Sequence, residues 1–148
     1  MLPAVPTYFM SPYSPATWEA AAEHLDNRQT AFARSQFKTA KNNVSIGDVF
    51  LCYIIGATEM VAALRAVSAP YLVEGGQIRQ LLLYPVRFDT EVVARVPVGD
   101  GVRLAKIKSE SGDPTMWISL VQGALKRVPE GDAKWIVSQL RDRSNAAS

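Results

Sequence analysis

The spacing of apolar positions changes twice along this chain, from helical near the start to strand-like through the middle and back to helical at the end. Thr7 to Ser11 is β-branched and aromatic and meets Pro12, which predicts a short first strand. Ser14 and Pro15 then have the chemistry of an N-cap and a first helical residue. Trp18, Ala21, Ala22 and Leu25 follow at i, i+3, i+4 and i+7, so an amphipathic helix is expected from Pro15 to about His24. Val49 to Ile55 is an unbroken apolar run between Gly47 and Gly56, the mark of a strand buried on both faces. Gly56-Ala57-Thr58 reads as a hairpin turn into Met60 to Val67. The segment VEGGQIRQ reads as a loop. Val86, Phe88, Thr90 and Val92 alternate with Arg87, Asp89 and Glu91, predicting one half-buried strand with its charges in water. Its inward residues should join Leu51, Tyr53 and Ile55 in a common core. VRLAKIK, behind Asp100, has the look of a short basic helix, and TMWISLV and GALKRV of two strands. Ala133, Ile136, Val137 and Leu140 predict a last helix from about Pro129.

This order, β-α, a run of strands, then α, favours an α+β fold: a mainly antiparallel curved sheet or small β-barrel with helices packed outside, rather than a doubly wound sheet. The 148 residues suit one domain over 1–148, with 1–6 and 143–148 expected as flexible ends. No apolar run reaches the roughly 20 residues of a membrane span, and the start has no signal-peptide pattern, so a cytoplasmic protein is expected.

Composition removes most catalytic chemistry. The single Cys52 lies in the most apolar strand, where a thiol behaves as a small hydrophobe, and the single His24 lies near a helix end, where a solvated cap is the ordinary role. No Cys/His cluster, Gly-rich phosphate loop or base-nucleophile pair is present, so neither a metal nor a cofactor is expected, and no enzyme. With 16 Lys and Arg against 14 Asp and Glu, any grip on nucleic acid has to be local. One stretch is single-signed: between Asp26 and Asp48 the chain carries Arg28, Arg34, Lys38 and Lys41 and no acid. Beside it, Tyr13, Phe32, Tyr71 and Trp117 sit at the ends of apolar elements next to Pro, Ser, Gly or basic residues. Such rings are ordinarily core-rim residues. Together they suggest a pocket that stacks a planar ligand, and with the basic stretch, a nucleobase.

The order YFMSPYSPATWEAA, AFARSQF, VSIGDVFLCYIIG, SAPYL, YPVRF and MWISLVQGALKRVPEGD resembles the EVE domain, a PUA-like fold related to the YTH domain, over about Thr7 to Leu140. The resemblance implies a pocket for an extruded modified base. Carried onto this chain, Ser11 and Tyr13 lie at its edge. Phe32 stands where the family usually has Trp, followed by Ala33, and Asp113, Thr115 and Trp117 line the remaining side. The loop before YPVRF, which often adds an aromatic wall, has no aromatic residue here.

The expected function is therefore a non-enzymatic reader of a modified base in DNA or RNA. The base stacks on a free-standing Phe32, Ser11 or backbone groups bond its edge, and Arg28, Arg34, Lys38 and Lys41 neutralise phosphates. The alternative is an intracellular sensor of a small planar metabolite or modified nucleoside in the same pocket.

Overall fold

Ser14 does what its position suggests. In the computed structural model, which describes residues 5–26, 28–74, 79–104 and 123–146, its hydroxyl accepts from Thr17 N at 3.2 Å and opens helix α1 (Pro15–Leu25). The helix ends where Asp26 turns into the left-handed region, φ 51°. A short 3-10 turn (Arg34–Gln36) leads into α2 (Phe37–Asn43), and further helices are α3 (Arg79–Leu82) and α4 (Glu130–Ala146).

The strands are β1 (Tyr8–Tyr13), β2 (Val49–Ile54), β3 (Glu59–Ala66), β4 (Tyr71–Leu72), β5 (Val86–Arg87), β6 (Thr90–Arg95), β7 (Val102–Arg103) and β8 (Arg127–Val128). The main sheet runs β6-β3-β2-β1-β8, with β7 also on β3; β4 and β5 form a separate pair. The β1–β2 pairing is parallel, across the α1–α2 crossover, and the remaining pairings are antiparallel. Among the described residues β6 and β8 do not pair, so the sheet is open and the expected barrel does not close.

β1 runs through Pro12 instead of stopping at Ser11. The carbonyls of Thr7 and Tyr13 bond to β2, whereas Met10 bonds Lys126 and Leu125 on the other side. Pro12 is in phase with Met10, so its missing N–H faces away from β2 and removes no bond of that pairing. Asp48 fixes the register at the other end: its carboxylate accepts from Thr7 N at 2.9 Å and Ser45 N at 2.8 Å.

By alternation and register, Phe9, Ser11 and Tyr13 share a face with Phe50, Cys52 and Ile54. That face is roofed by Trp18, Phe32 and Phe88, all buried. The α4 helix packs on β3 and β6, burying Ala133, Ile136, Val137 and Leu140 as their spacing predicts. It continues to Ala146, where a frayed end was expected from residue 143, and Arg143 donates to the carbonyls of Gly101 and Asp100.

Three further expectations change. Val86 to Val92 is two strands in two sheets, since the chain bends at Phe88-Asp89 to pair first with β4 and then with β3. Ile55 and Val92 are outside the core, 50% and 44% exposed, because Ile55 has passed into the turn and Val92 lies on an edge strand. Leu51, Tyr53 and Phe88 are inside it. Val102 and Arg103, placed in a basic helix by sequence, are the strand β7; residues 105–108 and TMWISLV lie outside the described residues.

Candidate functional site

The aromatic face carries an unusual amount of polarity for a core. Ser11 is 1% exposed, and its Oγ has no hydrogen-bond partner among the described residues. A buried hydroxyl left in that state destabilises a fold by about 1–3 kcal/mol. Two residues on, Tyr13 is also buried and meets Trp18 edge to face at 5.2 Å between ring centres. Burial, and after it Cys52, pushes the Tyr13 phenol well above its usual range, against the opposing pull of Ser11, the Ala31 backbone and Arg87. Cys52 is pushed up by burial, in keeping with an inert core thiol.

Arg87 is the residue that sequence reasoning missed. Strict alternation put it on the solvent side with Asp89 and Glu91, yet it is 5% exposed. The strand it belongs to is covered on both sides, by the segment around Gln29 and by α3. Its guanidinium donates to Tyr84 O at 2.9 Å, to Leu81 O at 3.3 Å and to Gln29 Oε1 at 3.3 Å. No carboxylate lies within ion-pair distance of it among the described residues. Desolvation lowers its pKa, with Tyr13 and Tyr71 opposing. Nothing in the spacing of YPVRF announces this, because the burial comes from segments distant in sequence.

Phe32 needs the opposite correction. Expected to stand free, it is 3% exposed and interlocked with Phe50 and Phe88, ring centres 5.5 and 6.3 Å away. Backbone bonds between Phe32 and Val86 in both directions clamp it there. The small neighbours Ala31 and Ala33 do not give the ring room; they let the strand come close enough to bury it. Ala33 follows, half-buried, before the 3-10 turn. Tyr71 is half-buried and donates to Asp89 Oδ1 at 2.5 Å; desolvation and then Asp89 push its phenol up to about 12. Asp113, Thr115 and Trp117 lie outside the described residues.

The basic stretch is partly organised. Arg34, Lys38 and Lys41 fall at i, i+4 and i+7 along the 3-10 turn and α2, so they form one exposed stripe, while Phe37 and Ala40 turn to the core. Arg34 has Glu74 at 3.6 Å; Lys38 and Lys41 have no ion pair among the described residues. Arg28 is apart from the stripe, with Asp26 at 3.6 Å. Ion pairs this exposed are weak and leave the guanidinium groups available. His24, exposed beside Glu23 at 3.7 Å, fits a solvated helix end. Among the described residues no three His, Cys, Asp or Glu side chains are grouped to hold a metal ion, and no helix is long and apolar enough to cross a membrane.

The backbone that carries these groups has clear counterparts. The Toxoplasma CPSF4 YTH domain, in complex with a 7-mer m6A-modified RNA, superposes with a TM-score of 0.66 at 11% identity over 94% of this chain and 93% of that one. The chain has the fold of YTH domains. The YTH domain of Zygosaccharomyces rouxii MRB1, in complex with N6-methyladenosine RNA, gives 0.63 at 11% identity over 95% and 88%. A hypothetical protein from Leishmania major gives 0.62 at 12% identity over 97% and 98%. No protein-family model matches the sequence. No curated protein matches it either. The YTH fold is thus reached here with a sequence that shares about one residue in nine with the two YTH domains named.

Proposed function

We propose that the protein is a non-enzymatic reader of a modified base in RNA, an EVE-like member of this fold. The observation that carries the reading is the buried hydroxyl of Ser11, beside Tyr13 on the aromatic face, with no hydrogen-bond partner among the described residues. A fold that keeps an unsatisfied polar atom in its core gives up stability, and such costs concentrate where a ligand completes the bonding. A nucleobase edge supplies donors and acceptors, and Arg34, Lys38 and Lys41 suit the phosphates beside it. The RNA held by the Toxoplasma and Zygosaccharomyces YTH domains is what favours RNA over DNA.

Ser11→Ala tests this directly. The variant is expected to raise unfolding free energy by about 1 kcal/mol, because it removes an unsatisfied group, and to weaken binding of a modified oligonucleotide by about three- to tenfold. Urea melts and anisotropy with short single-stranded RNAs, with and without N6-methyladenine or 5-methylcytosine, read both effects. A Ser11→Ala variant that gains stability and binds unchanged would remove Ser11 from the site.

The basic stripe has its own signature. Reversing Arg34 and Lys38 to Glu is expected to weaken binding to all RNAs alike and to lower the salt slope by about 0.7 per lost phosphate contact. Wild-type affinity that hardly changes with salt would point to a free planar metabolite as the ligand instead.

A further inference from the structure

A second surface lies between the outer side of α1 and the turn that joins β6 to β7, and shares only Trp18 with the aromatic face. It is a groove of about 630 Å3 lined by Pro15, Trp18, Glu19, Ala22, Glu23 and Val98. Its lining combines apolar side chains with two carboxylates, and no Lys or Arg among the described residues takes part. We propose that this groove docks a basic amphipathic segment of a partner protein, a turn of helix bearing two cations and an apolar anchor.

The turn forming one wall is held rigid from below. Glu59, 1% exposed, accepts from Gly99 N at 2.5 Å and Gly101 N at 3.4 Å. Asp100 N closes the turn on Pro97 O at 3.0 Å, Gly99 takes φ +105°, and Arg143 bonds the Gly101 carbonyl. A buried carboxylate and an arginine from α4 thus fix four residues whose outward product is Val98, an apolar side chain 51% exposed. A wall set in advance lowers the ordering cost of binding.

The other wall states the charge of the occupant. Glu19 and Glu23 are one helical turn apart on α1, a like-charge i,i+4 pair that weakens an isolated helix. Neither has a Lys or Arg at ion-pair distance among the described residues; Glu23 has only the exposed His24 beside it. Cations spaced by one helical turn relieve that repulsion, and an apolar residue between them meets Ala22 and Val98 over Trp18. Nucleic acid is repelled by the same carboxylates, so this surface is independent of the RNA-reading proposal.

The test uses the full chain and a fluorescein-labelled synthetic peptide of about 14 residues, with lysines at i and i+4 and leucines at i+3 and i+7. Two controls carry glutamate for lysine, or lysine throughout. Binding of the lysine-leucine peptide is expected to exceed both controls by about tenfold. Glu19→Lys with Glu23→Lys, or Val98→Asp alone, should abolish that preference while leaving melting temperature unchanged, and Val98→Asp should also leave RNA affinity unchanged. All three positions have exposed or groove-facing side chains, so the variants are expected to fold. Equal affinity for oligolysine, peptide binding that survives both variants, or no binding overturns the proposal. So does self-association in sedimentation that Val98→Asp removes, which would assign the groove to a second copy of the chain.

Discussion

Phe32→Ala lowers the unfolding free energy by about 3–5 kcal/mol, the cost of a large cavity among rigid aromatic neighbours. The ring is held by Phe50 at 5.5 Å and Phe88 at 6.3 Å, and those two hold each other at 5.0 Å. All three are almost wholly buried, and the clamp between Phe32 and Val86 backbones leaves the segment little freedom to collapse into the void. Phe32→Trp overpacks the same triangle and destabilises by about 1–3 kcal/mol. A ring that merely floors an open pocket behaves otherwise: its truncation costs ligand affinity and little stability, and Trp is welcome there. Urea unfolding of both variants decides, and a stable Phe32→Ala protein would return the ring to the pocket.

The second large effect is at Gly101. A Cβ there would overlap the backbone carbonyl oxygen of Met60 and stand 3.0 Å from Glu59 Oε1. Neither is the loose end of a side chain: one is strand backbone, the other a carboxylate held by two amides. Gly101→Ala is therefore expected to cost about 3 kcal/mol, at the upper end of ordinary overpacking, and to loosen the turn that presents Val98. Gly99→Ala is the control. It meets no atom within 4 Å and suffers only from φ +105°, so its cost should stay near 1–2 kcal/mol. Equal losses at the two positions would show that backbone conformation, not the close approach to β3, is what Gly101 provides.

Local signals in the sequence determined much of this protein. Ser14-Pro15 marked the start of α1, Gly47-Asp48 the start of β2, Gly56 to Thr58 the hairpin, and the spacing of Ala133, Ile136, Val137 and Leu140 the buried face of α4. Each rests on bonds or periodicities within a few residues, so the chain states them without help. The same holds for the basic stripe, whose i, i+4, i+7 spacing was present in the sequence although its helix went unrecognised. What only the tertiary structure decided is which of two faces water reaches. Arg87 looks solvated by alternation but is buried, because Gln29 and α3 arrive from elsewhere in the chain. Phe32 looks isolated among small residues but is locked, because those residues admit β5 and the rings of Phe50 and Phe88. Ser11 is an unremarkable strand serine until the register of β1 on β2 places it under the aromatic roof with no partner among the described residues. Burial is a property of pairs of segments, and no single stretch of sequence contains it.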